Sequence, residues 1–307
     1  MTTRDTTPGV DTRSVAFLSR HERFRSVLST NDIVRSWLIA GTAEVCLAVA
    51  DVQTAGRGRS GRSWVAPSGA ALLLSLGFLP NYLPADRLWR LAAVVSLAMA
   101  DAAEVVAGLA VGKLRLKWPN DIVVEVAGSG AATESGAAAA GLRKVAGVLG
   151  ETEGVGTADQ VAIVGIGINA DWRRDQFPAE LADSMTSLRE VSGGRPIDTS
   201  ELLDAFLLRL EPRVLALRDG HFDVAGWHDR QVTTGRMVRL ERSGGEAEEV
   251  RAVGVDGVTG ALLVENPAAP GVEREVLAGE VVHVRLAAER AEAEPRPPAS
   301  PRPGVTP

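Results

Sequence analysis

The chain is poor in several residues that would mark whole classes of protein. Its 307 residues include one cysteine, Cys46, which excludes a disulfide framework and any cysteine-built metal site. Set within an apolar run, that thiol reads as a small buried hydrophobe. The four histidines, His21, His221, His228 and His283, lie outside the motifs below, so none is placed for base catalysis. Aromatic residues are 4% of the chain, too few for base-stacking platforms, and a net charge of −6 gives no overall attraction to nucleic acid. No apolar run is long enough to span a bilayer, and the polar start MTTRDTTPGVDTR lacks a secretory core. A cytoplasmic enzyme is the expected class.

Two shortages are more pointed. Of the 33 basic residues all but Lys113, Lys117 and Lys144 are arginine, and asparagine occurs only at Asn31, Asn81, Asn120, Asn169 and Asn266. In such a background a lysine or an asparagine marks a place where arginine or aspartate would not serve. Lys117, Lys144, Asn31, Asn120 and Asn169 all fall in short motifs.

The most informative of these is QTAGRGRSGRSW, residues 53–64, between apolar runs at 45–52 and 70–78 that read as buried strands. Gly56, Gly58 and Gly61 alternate with Arg57, Arg59 and Arg62. Glycine lets backbone N–H groups approach a ligand closely, and arginine supplies a rigid fork of donors, so the segment can fold over phosphate or carboxylate oxygens. By itself it fits equally a solvated basic loop or a tract that touches RNA.

Taken in order, residues 1–13 are polar and aperiodic and are expected to be disordered. Residues 17–28 allow a short element, too little for a three-helix DNA-binding domain. Ser29-Thr30-Asn31-Asp32 precedes apolar residues at helical spacing and predicts a helix N-cap whose spare polar groups face a ligand. Residues 84–106 and 198–217 predict long helices, and 222–231 a shorter one. KWPND, residues 117–121, is a hairpin turn between strands at 114–118 and 122–126. An alanine- and glycine-rich loop at 127–141 leads to strands at 144–151 and 161–169. The second ends GIGIN, which lacks the third glycine of a dinucleotide fingerprint, and no P-loop is present. Short strands from 235 to 286 predict a small β-barrel, and 287–307 is an acidic, proline-rich tail expected to be disordered.

In order, STN (29–31), QTAGRGRSGRSW (53–64), KWPND (117–121), KVAG (144–147) and GIGIN (165–169) make the chain resemble the biotin–protein ligases, the biotin–acetyl-CoA-carboxylase ligases, from about residue 29 to 286. The resemblance implies an α/β (α+β) fold, with a central mixed sheet flanked by helices over 14–234 and an SH3-like barrel over 235–286. It also implies the class without a DNA-binding module. Two departures stand out: Asp51 sits where the family commonly has Glu, and the insertion before Lys144 is longer than usual.

The resemblance further implies ATP and biotin as substrates, Mg²⁺ with the ATP, and the biotin carboxyl carrier domain of a carboxylase as partner. No DNA or membrane partner is expected, and the state is monomer or homodimer. Residue by residue, it carries biotin contacts onto Ser29, Thr30, Asn31, Gln53, Arg57, Gly58, Arg59 and Lys144. It carries nucleotide contacts onto Arg59, Arg62, Trp64, Lys117, Asn120 and Asn169, and the chemistry onto Arg59, Lys117 and Lys144. Asn120 and Asp121 serve either the acceptor lysine or Mg²⁺. The rival reading in the same chemistry is a lipoate or octanoate ligase, which needs an apolar acyl channel in place of the Ser/Asn/Gln group.

Overall fold

The computed structural model describes residues 17–126, 141–242, 245–278 and 283–286. The expected disordered ends at 1–13 and 287–307, nearly all of the 127–141 loop, and the turn glycines Gly244 and Gly279 lie outside the described residues. Within them the chain builds one seven-stranded and one five-stranded sheet. The large sheet consists of β1 (Arg20–Phe24), β2 (Cys46–Ala50), β3 (Ala71–Phe78), β4 (Leu114–Lys117), β5 (Asp121–Val126), β6 (Gly141–Glu153) and β7 (Val161–Asn169). Their order is β1-β2-β3-β7-β6-β5-β4, with β1 parallel to β2 and the other pairs antiparallel. The short element expected within 17–28 is thus a parallel edge strand.

Every residue of β2 and β3 is buried, because both faces of the sheet are covered there. On one face α2 (Trp89–Ala107) and α4 (Thr199–Arg218), the latter preceded by the short α3 (Leu188–Val191), pack over Leu47, Leu72, Leu74, Leu76, Val164 and Ile166. On the other, α1 (Thr30–Ile39) sets Val34, Trp37 and Leu38 against Cys46, Ala48 and Ile163. Burial pushes the Cys46 thiol up to about 11, which leaves it protonated and inert. α4 starts where Asp198 accepts from the amides of Ser200 and Glu201. Residues 84–88 do not join α2; a single 3₁₀ turn, Ala85–Arg87, leads into it instead. No helix among the described residues is long and apolar enough to cross a membrane.

The predicted helix at 222–231 is shorter, α5 (Val224–Asp229), because the residues after it have other partners. Leu116 N–H donates to Arg230 O at 2.8 Å, and Val232 N–H donates to Leu116 O at 2.9 Å, so this segment completes the outer edge of β4. Arg230 also reaches back to Glu104 on α2, with Nη1–Oε1 2.6 Å, and Glu104, 2% exposed, accepts from Leu114 N–H at 2.8 Å. The buried carboxylate is therefore both paired and hydrogen-bonded, the condition under which burial is tolerable. Fully buried Thr233 accepts the Trp118 N–H at 2.9 Å. Thr233→Val keeps the volume and orphans that donor, and is expected to cost about 1–3 kcal/mol in urea unfolding. Thr233→Ser should unfold close to wild type.

Beyond this segment β8 (Met237–Glu241), β9 (Ala247–Val255), β10 (Leu262–Asn266), β11 (Ala269–Val276) and β12 (His283–Leu286) form the antiparallel five-stranded sheet, in the order β11-β10-β9-β8-β12. Its turn residues touch the larger unit directly. Trp89 and Trp118 donate their indole N–H groups to Val258 O and Gly260 O, both at 3.0 Å, and Arg90 donates to Gly257 O.

Candidate functional site

The open face of the large sheet is floored by glycine. Gly147 on β6 pairs with Gly167 on β7, and Gly165 sits between Leu149 of β6 and Ser75 of β3. A Cβ on Gly167 would lie 2.5 Å from Trp64 Nε1, and one on Gly147 would lie 2.9 Å from Lys144 Nζ. One on Gly165 would overlap Asn31 Oδ1. KVAG and GIGIN are therefore explained by space: each glycine admits a functional side chain down to the sheet.

Above this floor lies a cavity of about 380 Å³. Its wall includes Ser29, Thr30, Asn31 and Gln53 at one end and Arg57, Gly58, Arg59, Arg62 and Trp64 from the loop. Lys117, Asn120, Asp121 and Lys144 are also on the wall, so every residue to which the resemblance assigns a role lines it except one. That one is Asn169, fully buried at the end of β7 and donating to Thr186 O at 2.9 Å. Asn169 is on the same strand face as Gly165 and Gly167, but a turn of chain packs over it. Its Oδ1 is a buried acceptor with no partner among the described residues.

A β-bulge aims Lys144. Ile122 pairs with Ala146 but Val123 pairs with Lys144, so Val145 has no partner on β5. In a regular strand residues 144 and 147 would face opposite sides. The extra residue brings Lys144 onto the face of Gly147, as bulges beside functional sites do. The segment at 184–186 pins the bulge: Lys144 N–H donates to Ser184 O and Thr186 N–H to Lys144 O. The ammonium ends 2.5 Å from Asp121 Oδ1 and 5.3 Å from the Trp64 ring centre.

The loop is tied at both ends. Arg57 makes two bonds to Asp32, at 2.9 and 2.7 Å, and approaches Glu151 at 3.4 Å. The hydrogen bond from Arg57 holds the Asp32 carboxyl below the usual carboxylate range. In this structure Arg57 is engaged by α1, where the sequence reading had it close over the ligand anions. Arg59 donates to Ala278 O of the smaller sheet's segment. Burial, and then the charge of Arg62, lowers the Arg59 guanidinium pKa, with Asp121 opposing. An incoming anion relieves both the partial burial of Arg59 and its repulsion by Arg62.

At the other end, the expected N-cap geometry is present but the capping bond is not. Ser29 has extended φ/ψ and makes no side-chain cap; the Thr30 N–H donates instead to Gln53 Oε1 at 2.8 Å. Gln53 thereby caps the helix and is held in place by it. Three residues there escaped the sequence reading: Ser75, Asp32 as the Arg57 partner, and Glu151. Ser75 Oγ lies 2.6 Å from Thr30 Oγ1 and 2.5 Å from Asn31 Oδ1, and Asn31 Nδ2 donates to Glu151 at 2.9 Å. The available signal for Ser75 was one hydroxyl in the otherwise apolar ALLLSLGF.

Among the described residues no group of three His, Cys, Asp or Glu could hold a metal, and Asp121 is the one carboxylate on the cavity wall. The chemistry that remains is anion handling beside a mixed donor–acceptor patch.

Comparison with known proteins agrees. The biotin/lipoate A/B protein ligase family model matches residues 24–169. The biotin–acetyl-CoA-carboxylase ligase of Mycobacterium tuberculosis is 30% identical over 238 residues, 77% of this chain and 78% of that protein. The bifunctional ligase/repressor BirA of Bacillus spizizenii is 32% identical over 64% of this chain, but the match spans only 54% of its own length. Among solved structures, the biotin protein ligase from Aquifex aeolicus in complex with biotin and ATP matches with a TM-score of 0.68 and 26% identity, covering 87% of this chain and 99% of that one. The chain belongs to the biotin–protein ligases, within the biotin/lipoate A/B protein ligase family.

Proposed function

We infer that this chain joins biotin to protein in two steps. The biotin carboxylate attacks the α-phosphate of ATP, giving biotinyl-5′-AMP and pyrophosphate. The ε-amine of a lysine on the biotin carboxyl carrier domain of a carboxylase then attacks the mixed anhydride and releases AMP. The observation that carries this reading is the single cavity with Lys117, Lys144 and Arg59 on its wall and Ser29, Thr30, Asn31 and Gln53 at its far end.

The first step must bring two anions together, so its barrier is largely Coulombic. Lys144 and Lys117 supply compact charges that follow oxygens as they move, and Arg59 with the Gly58 backbone covers the junction. The neutral ureido ring needs both donors and acceptors, which Ser29, Thr30, Asn31 and Gln53 provide. A fully apolar acyl channel, as a lipoate ligase needs, does not fit that end of the cavity. Trp64 forms the apolar wall beside the adenine. Asn169 Oδ1, a buried acceptor with no partner among the described residues, is of the type that an exocyclic amine needs. Mg²⁺ usually keeps several waters and takes one or two carboxylates plus substrate phosphates. Asp121, which here pairs with Lys144, is the carboxylate on the cavity wall that would hold the ion, and the ion would supply neutralisation of phosphate charge. The setting is cytoplasmic.

The test is purified protein with ATP, Mg²⁺ and labelled biotin or lipoate, read as pyrophosphate release with and without a carrier domain. Biotin-dependent release is expected, and release with lipoate alone would refute the assignment. Arg59→Ala should still form the adenylate but leak it, because the loop loses its tie to Ala278 and no longer shields the product. Biotinylation of bystander lysines, measured on a blot with serum albumin present, should rise above wild type.

A further inference from the structure

We propose that Ser75 is a positioning residue that fixes the donor–acceptor polarity of the ureido end, and so sets selectivity for a cyclic urea; this rests on the function proposed above. Ser75 is fully buried on the interior strand β3, directly opposite Gly165. It is not on the cavity wall, yet both neighbours that are, Thr30 and Asn31, converge on its hydroxyl.

Proton counting gives the direction of the chain. Ser75 has one hydroxyl hydrogen, and Asn31 Oδ1 at 2.5 Å accepts it. The 2.6 Å contact between Thr30 and Ser75 then has only the Thr30 hydrogen to fill it. Thr30 therefore donates to Ser75 and cannot also donate to Gln53 Oε1 at 3.0 Å, which already accepts the Thr30 N–H. At the far end Glu151, an acceptor when ionised, takes a hydrogen from Asn31 Nδ2 at 2.9 Å and forbids the flipped amide. The relay Thr30→Ser75→Asn31→Glu151 thus has one direction.

Its consequence lies on the cavity side. With its hydrogen turned inward, Thr30 Oγ1 offers lone pairs, an acceptor for a ring N–H. Gln53, with Oε1 engaged, is left with its amide hydrogens, donors for a ring carbonyl. A cyclic urea presents that complement, one acceptor flanked by two donors. The imino analogue, protonated at neutral pH so that =NH₂⁺ replaces the urea oxygen, presents donors where the pocket also holds donors. Without the Ser75 hydroxyl, Thr30 is free to turn its hydrogen to either side and Asn31 loses the bond that fixes its oxygen.

The experiment measures biotin-dependent ATP–pyrophosphate exchange with biotin and with 2′-iminobiotin, at neutral pH where the latter is a guanidinium and only donates, for wild type, Ser75→Ala and Ser75→Cys. Ser75→Ala is expected to raise KM for biotin about tenfold with KM for ATP unchanged, as for loss of a buried hydrogen-bond partner. The preference for biotin over iminobiotin should fall by about as much. Ser75→Cys, of similar size with a weak donor, should lie between. An unchanged biotin KM and preference in both variants would overturn the proposal. So would an equal fall in kcat with both substrates at constant KM, the signature of a merely structural residue. Failure of wild type to exchange with biotin would instead strike the proposed function itself.

Discussion

Lys144→Ala is expected to lower biotin-dependent ATP–pyrophosphate exchange by about 10²–10³-fold, the loss found when one preorganised donor is removed from a developing charge. The size of the effect follows from placement. The ammonium reaches the site only because Val145 bulges out of the ladder, and it is held between Asp121 and the Trp64 ring. A planar arginine fork is larger than an ammonium, and Lys144 Nζ already packs so close over Gly147 that it lies 2.9 Å from where a Cβ would sit. Lys144→Arg should therefore rescue poorly. Exchange within a few-fold of wild type in Lys144→Ala would remove it from the chemistry.

Gly165→Ala is the second large effect. Its Cβ would overlap Asn31 Oδ1 and lie 3.3 Å from Ser75 Oγ, and neither can withdraw, because each is bonded to the other and Asn31 is also tied to Glu151. Overpacking of this kind typically costs about 1–3 kcal/mol. Here it falls on the ureido end, so KM for biotin should rise by at least about tenfold while thermal stability falls by only a few degrees. Gly150→Ala on β6 is the control: its Cβ meets nothing within 4 Å, and it should behave as wild type. Equal biotin KM values for the two variants would show that the glycine floor does not carry Asn31.

These two cases also show which parts of the molecule could be read from its letters. The arginine loop, KWPND, KVAG and GIGIN are contiguous, and each glycine or lysine in them is forced by close contact, so residue type and spacing carried the information. Apart from β1, whose RHERF carries no apolar run, the strands of the large sheet were legible as strands from local pattern. What escaped was built from residues far apart in sequence. Ser75 meets Thr30 across 45 positions and Glu151 meets Asn31 across 120, and neither pairing leaves a mark in local pattern. The end of α5 was misread because residues 230–233 spend their hydrogen bonds on β4, a tertiary demand that overrides helix propensity. Nor does the GIGIN motif, from which Asn169 is read as a nucleotide contact, reveal that its amide donates to Thr186 O, 17 positions away.

The join between the two sheets has a practical meaning for anyone seeking a minimal fragment. A cut just before residue 235 would look natural, since the pattern of short strands begins there. It would also remove the acceptor at Gly260 that holds the Trp118 indole, the Gly257 and Val258 carbonyls that anchor the start of α2, and the segment that Arg59 grips. The shorter piece would keep every letter of the five motifs and lose the contacts that hold Trp118, the start of α2 and Arg59, so the smaller sheet serves as a clamp on the larger one's working edge rather than as a detachable appendage.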